Sequence, residues 1–143
     1  MASQWNEDTM IAALEPMLLP GETMEAWVYV SFYDTGFFAS RYPSAGYLAL
    51  TGNGRLVGLK IGLLGSVPVS CDLAAVTKVK IRQSVLQKLT NQTEVYLEYF
   101  GGQGDGKMKF TLLPKVVGGK LPHQTEHVQR VLDELALVSG SGR

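Results

Sequence analysis

The chain has 143 residues, 45% of them apolar, and its 13 lysines and arginines balance 13 aspartates and glutamates. That length suits one domain able to bury about two thirds of the surface its unfolded form exposes, and the zero net charge excludes a global field drawing it to nucleic acid or anionic lipid. The single cysteine, Cys71, rules out an intramolecular disulfide and points to a reducing, cytoplasmic setting.

The opening MASQWNEDTM carries acids where a secretory leader needs cations, so an unexported protein is expected. Met10, Leu14, Met17 and Leu18 then recur at helical spacing behind Asp8, which is read as the N-cap. Pro16 and Pro20-Gly21 limit this helix to a few turns. From Met24 the character changes. MEAWVYVSFY alternates Ala26, Val28, Val30 and Phe32 with Trp27, Tyr29 and Tyr33, a strand with large residues on both sides.

Tyr47–Thr51 and Arg55–Ile61 are strand-like runs joined by Gly52-Asn53-Gly54, residues that tolerate the positive φ of a tight hairpin. The run LVGLKIGLLGSVPV is the nearest approach to a membrane segment, but Lys60, Pro68 and its glycines break it into strands, the last ending at Cys71. VTKVKIR sets Thr77, Val79 and Ile81 against Lys78, Lys80 and Arg82, and EVYLEYF and KMKFTLL repeat the alternation around GGQGDG. After Pro122 the period becomes helical. Val128, Val131, Leu132 and Leu135 form one stripe, Gln124, Arg130 and Glu134 are read as lying away from it, and Gly140 as ending the run.

The expectation is a single α+β domain over residues 1–143: a helix and lead-in over 1–22, about seven antiparallel strands over 24–113, a helix over 122–138 that covers the sheet, and a flexible tail, SGSGR, over 139–143. Leu19-Pro20-Gly21-Glu22, Leu48-Ala49-Leu50-Thr51 with Asn53, Arg55 and Leu56 across the hinge, and the final helix together resemble the bacterial pleckstrin-homology-like (PH-like) and GRAM domains. The extra glycines flanking Asn53 depart from that pattern and lengthen the hinge. The resemblance implies a strongly bent, partly closed antiparallel β-barrel capped by the C-terminal helix, and a mostly non-enzymatic family. Its eukaryotic relatives bind phosphoinositides or peptides, and some bacterial members, often of unknown role, assemble into rings.

Three groups of residues carry candidate chemistry. His123-Gln-Thr-Glu126-His127 fits the H-x-x-E-H spacing of inverted zincins, which places two histidines one helical turn apart. Only 16 residues follow His127, too few for the downstream helix that supplies a third ligand, so no metal or other cofactor is assigned and a small zinc hydrolase ranks third among the functions. Lys78, Lys80 and Arg82 form a candidate anion-binding face, opposed by Glu94 and Glu98 on the next strand and followed by Lys107 and Lys109, a plus, minus, plus order expected to neutralise itself. Phe37, Phe38, Arg41 and Tyr42 are a candidate interaction loop, with aromatics beside an arginine as in an interface anchor.

Cys71, in an apolar strand, reads as a buried inert thiol. The favoured function is a non-catalytic module for protein contacts or self-association. A lipid-headgroup or small-anion binder is the alternative, with membrane lipid a less favoured partner and nucleic acid none.

Overall fold

The computed structural model describes residues 6–33, 44–62, 65–83, 92–101, 106–113 and 121–141. Seven strands follow one helix and precede another: α1 (Glu7–Leu14), β1 (Met24–Tyr33), β2 (Ser44–Thr51), β3 (Arg55–Gly62), β4 (Gly65–Asp72), β5 (Val76–Arg82), β6 (Thr93–Tyr99), β7 (Lys107–Leu112) and α2 (Gln124–Ser141). The strands make one antiparallel sheet in the order β4-β3-β2-β1-β7-β6-β5. Among the described residues no helix is long and apolar enough to cross a membrane. The interaction-loop residues Phe37, Phe38, Arg41 and Tyr42 lie outside the described residues.

β4 and β5 stand at opposite ends of the strand order, yet only a 3-10 turn, Leu73–Ala75, separates them in the chain. Three residues span about 10 Å at most. The two ends of the sheet must therefore curl toward each other, as in a bent barrel, although β4 and β5 do not pair. The concave side holds the main core, where Val28, Val30, Phe32, Leu48, Leu50, Val95, Leu97 and Phe110 meet Val128, Val131 and Leu135 of α2.

The strict alternation of β1 is realised: Ala26, Val28, Val30 and Phe32 are buried there. Their neighbours Trp27 and Tyr29 face the other side and pack with Met10 and Leu14 of α1, Tyr47, Ala49 and Val57 into a second core. The large residues on both faces of β1 thus have partners within the chain, and they are not by themselves a signal for association. In the hairpin, Gly54 takes φ +74° and donates its N–H to Thr51 O at 3.1 Å, a conformation costly for a residue with Cβ. Gly52 has a different reason, since a Cβ there would lie 2.9 Å from Thr23 Oγ1.

Several boundaries differ from the sequence expectation. The N-cap of α1 is Asn6, whose Oδ1 accepts from Thr9 N at 2.7 Å, and Asp8 is already inside the first turn, where its charge suits the helix dipole. α2 begins at Gln124 rather than at 122 and continues through Gly140 to Ser141, so residues 139–141 are helical rather than tail. A glycine costs a helix about 1 kcal/mol and does not forbid it. β5, an edge strand, is more exposed than a half-buried strand should be, with Ile81 39% exposed.

Candidate functional site

Two of the quoted motifs, Leu19–Glu22 and the hinge with Thr51 and Arg55, meet in one buried knot. Pro20 and Gly21, the latter at φ +78°, turn the chain before β1 so that Glu22 points inward, and the hinge delivers Thr51 and Arg55 to the same place. Arg55 Nη1 lies 2.6 Å from Glu22 Oε1, Thr51 Oγ1 donates to Glu22 Oε2 at 2.8 Å, and Leu19 N donates to Oε1 at 3.0 Å. Burial pushes the Glu22 carboxyl up, but the Leu19 N–H, the Thr51 hydroxyl and the Arg55 guanidinium outweigh it and hold it below the ordinary carboxylate value. The Glu22 side chain, held by three donors, has no exposed surface for a substrate to reach. The knot fixes the hairpin to the lead-in.

The H-x-x-E-H segment is also consumed by the fold. Only the second half of β1, Val30–Tyr33, pairs with β7. Trp27 and Tyr29 share the parity of Ser31 and Tyr33, so their N–H and C=O groups point to that same side, where no strand among the described residues receives them. The first turn of α2 supplies the partners. Gln124 Oε1 accepts from Tyr29 N at 2.9 Å, and its Nε2 donates to Tyr29 O at 2.9 Å and Leu113 O at 2.7 Å. His127 Nδ1 lies 3.1 Å from both Trp27 N and Trp27 O: unprotonated it accepts from the N–H, and protonated it would donate to the carbonyl.

Gln124 was expected to lie away from the apolar stripe, but it is buried, and so is His127. The signal was present, because Gln124 precedes Val128 by four residues and His127 precedes Val131 by four, which places both on the apolar stripe.

His123 Nδ1 meets Glu7 Oε1 at 2.6 Å, and the same oxygen accepts from Trp27 Nε1 at 2.5 Å, so α1, β1 and the residue just before α2 are tied at one point. Burial raises the Glu7 carboxyl, and its bonds from His123 and Trp27 more than reverse this, leaving it below its ordinary value. The His123 and His127 rings stack at 5.5 Å, but among the described residues no group of three His, Cys, Asp or Glu side chains is arranged to hold a metal. Cys71 is buried, and burial, with Asp72 nearby, pushes its thiol up to about 12, away from the thiolate a nucleophile needs.

What remains open is the outer face of β5–β7. It forms a shallow depression of ≈ 470 Å³ lined by Lys78, Lys80, Arg82, Lys107 and Lys109, with Glu94, Glu98 and Tyr96 among them. Strand register sets its rows: Lys78 and Lys107 flank Glu98, Lys80 and Lys109 flank Tyr96, and Arg82 stands beside Glu94. Glu94 takes both Arg82 at 3.2 Å and Lys109 at 3.7 Å. The Tyr96 hydroxyl donates to Glu98 at 2.7 Å and, with Lys78, Lys107 and Lys80 around it, keeps that carboxyl below its ordinary value.

The plus, minus, plus order exists in the row Lys78, Glu98 and Lys107; the row of Arg82 and Glu94 ends on Thr111, and the middle row has an aromatic where an acid would be. Five cations against two carboxylates leave this face with a surplus of three positive charges among the described residues. Neutralisation is therefore incomplete. Lys78 and Lys80 make no ion pair within 4.0 Å among the described residues. No family model, no curated protein and no solved structure matches the chain.

Proposed function

We propose that the protein is a non-catalytic, PH-like module that works by binding another protein surface, including that of its own copies. Support for the PH-like reading comes from the element order, the helix that covers the concave side, and the meeting of Glu22 with Thr51 and Arg55 from the two quoted motifs. The observation that carries the functional reading is how the side chains suited to chemistry are used. Glu7, Glu22, Gln124 and His127 hold backbone or side-chain partners within the fold, and Cys71 is sealed. The openings on β5–β7 and beside α2 are instead shallow and rich in charged side chains, as suits a broad partner surface rather than an enclosed small substrate.

Light scattering across a dilution series tests the assembly part. Mass should rise with concentration above that of one chain; a monomer at every concentration refutes it. A second reading, a lipid-headgroup or small-anion binder, is favoured by the positive surplus on β5–β7. It would show as salt-sensitive sedimentation with anionic vesicles, abolished in a Lys78/Lys80/Arg82 triple alanine.

A further inference from the structure

Charge on this neutral chain is segregated. The outer face of β5–β7 carries five cations and two carboxylates. Around the outward side of α2 the balance reverses: Glu25, Glu126, Asp133 and Glu134 surround Arg130 alone among the described residues. Arg130 is already engaged, at 2.7 Å from Glu25 and 3.1 Å from Glu134. Glu126 and Asp133 stay exposed without an ion pair among the described residues, Asp133 accepting only from Gln129 at 2.8 Å. Four carboxylates against one guanidinium leave a surplus of three negative charges, equal and opposite to that of the sheet face.

Within one molecule the two faces meet only at their border, where Arg82 and Asp133 line a common groove without an ion pair between them. α2 packs its Val128, Val131 and Leu135 on the concave side with Val95 and Leu97, whereas Lys78, Lys80 and Arg82 point to the convex side. Their dimensions are commensurate: Lys78 to Arg82 spans about 14 Å of strand, and Glu126 to Asp133 spans about 10 Å of helix. Either face set against itself would oppose like charges. Matching them takes a contact between unlike faces of two copies, and the zero net charge removes any long-range repulsion between copies.

Building on the assembly reading above, we infer that copies associate head to tail, the basic β5–β7 face of one seated on the acidic side of α2 of the next. Such a contact does not close on itself as a symmetric dimer does; it extends into a ring or a filament according to the rotation between copies. It weakens with salt, since exposed charges are screened over about 10 Å at 0.1 M ionic strength and about 3 Å at 1 M.

The test uses two charge reversals, Lys78→Glu with Lys80→Glu, and Glu126→Lys with Asp133→Lys, examined separately and mixed by light scattering and sedimentation velocity. Each reversal alone should weaken self-association by about tenfold or more, from two lost attractions and two added repulsions. The mixture should assemble again, because each reversed face now complements the other. Circular dichroism confirms folding, and Lys78→Gln with Lys80→Gln replaces the first pair if it does not fold. Wild-type oligomers indifferent to salt and to both reversals would overturn this interface while leaving the assembly reading intact. A wild-type monomer would overturn both. Reversals that disperse separately and fail to co-assemble would also overturn the inference, and loss of anionic-vesicle binding by the first pair alone would then assign the basic face to a non-self ligand.

Discussion

Replacing Glu22 with alanine removes one acceptor from three donors at once. The Arg55 guanidinium, the Thr51 hydroxyl and the Leu19 N–H all end on this carboxylate, whose side chain is fully enclosed. Breaking one side of a buried ion pair costs about 3–5 kcal/mol, and each stranded neutral donor about 1–3 kcal/mol. Arg55 keeps 16% of its side chain exposed, so water recovers part of its solvation. The net expectation is a loss of about 3–4 kcal/mol, a large share of the 5–15 kcal/mol typical of a domain. Urea unfolding followed by circular dichroism reads it directly.

A double-mutant cycle with Arg55→Met should return a coupling of about 1–3 kcal/mol. Because the folded Glu22 carboxyl lies below its unfolded value of 4.5, its contribution is complete above that pH and lost as pH falls through the lower folded value. Glu7 acts with the same sign. Glu22→Gln should therefore flatten the acid limb of the stability curve. A loss under about 1 kcal/mol for Glu22→Ala, or an unchanged acid limb for Glu22→Gln, would refute the claim that this knot secures the hairpin.

Gln124→Glu keeps an acceptor for Tyr29 N–H but sets a carboxylate against the Tyr29 and Leu113 carbonyls; thermal or urea unfolding should show a loss of about 3 kcal/mol or more, against about 0.5 kcal/mol or less for the exposed control Gln129→Glu. Gly46→Ala should be damaging in the same assay, since its Cβ would lie 2.5 Å from Leu59 O and from the Phe32 ring. A cost of about 2–4 kcal/mol is expected there, compared with about 1 kcal/mol for Gly54→Ala, where the space is open and only the positive φ resists.

What the sequence revealed follows the range of the forces involved. Period-two patterning exposes the strands because successive side chains must face opposite sides, and the burial of Ala26, Val28, Val30 and Phe32 was legible from this alone. The hairpin at Gly52–Gly54 was legible because backbone conformation is local. Long-range pairings were not. Nothing near Glu22 announces Arg55, 33 residues away, and nothing near His127 announces Trp27, 100 residues earlier. Polarity also misled the reading of Gln124, because a glutamine within an amphipathic helix resembles solvent-facing residues unless its position on the stripe is weighed above its type. The two carboxylates of the basic face were legible, but the missing acid in the middle row depended on strand register, which sets Lys80 and Lys109 on either side of Tyr96.

The interrupted pairing of β1 gives the domain two grades of protection along one strand. From Val30 onward, the side facing β7 is secured by another strand and opens only when the sheet does. At Trp27 and Tyr29 the same side is secured by two side chains of α2, Gln124 and His127. If the first turn of that helix lifts, these two backbone amides meet water while every strand pairing stays intact. The start of α2 is thus a separable clasp, and amide exchange at just those two positions would register its release long before the sheet itself gives way.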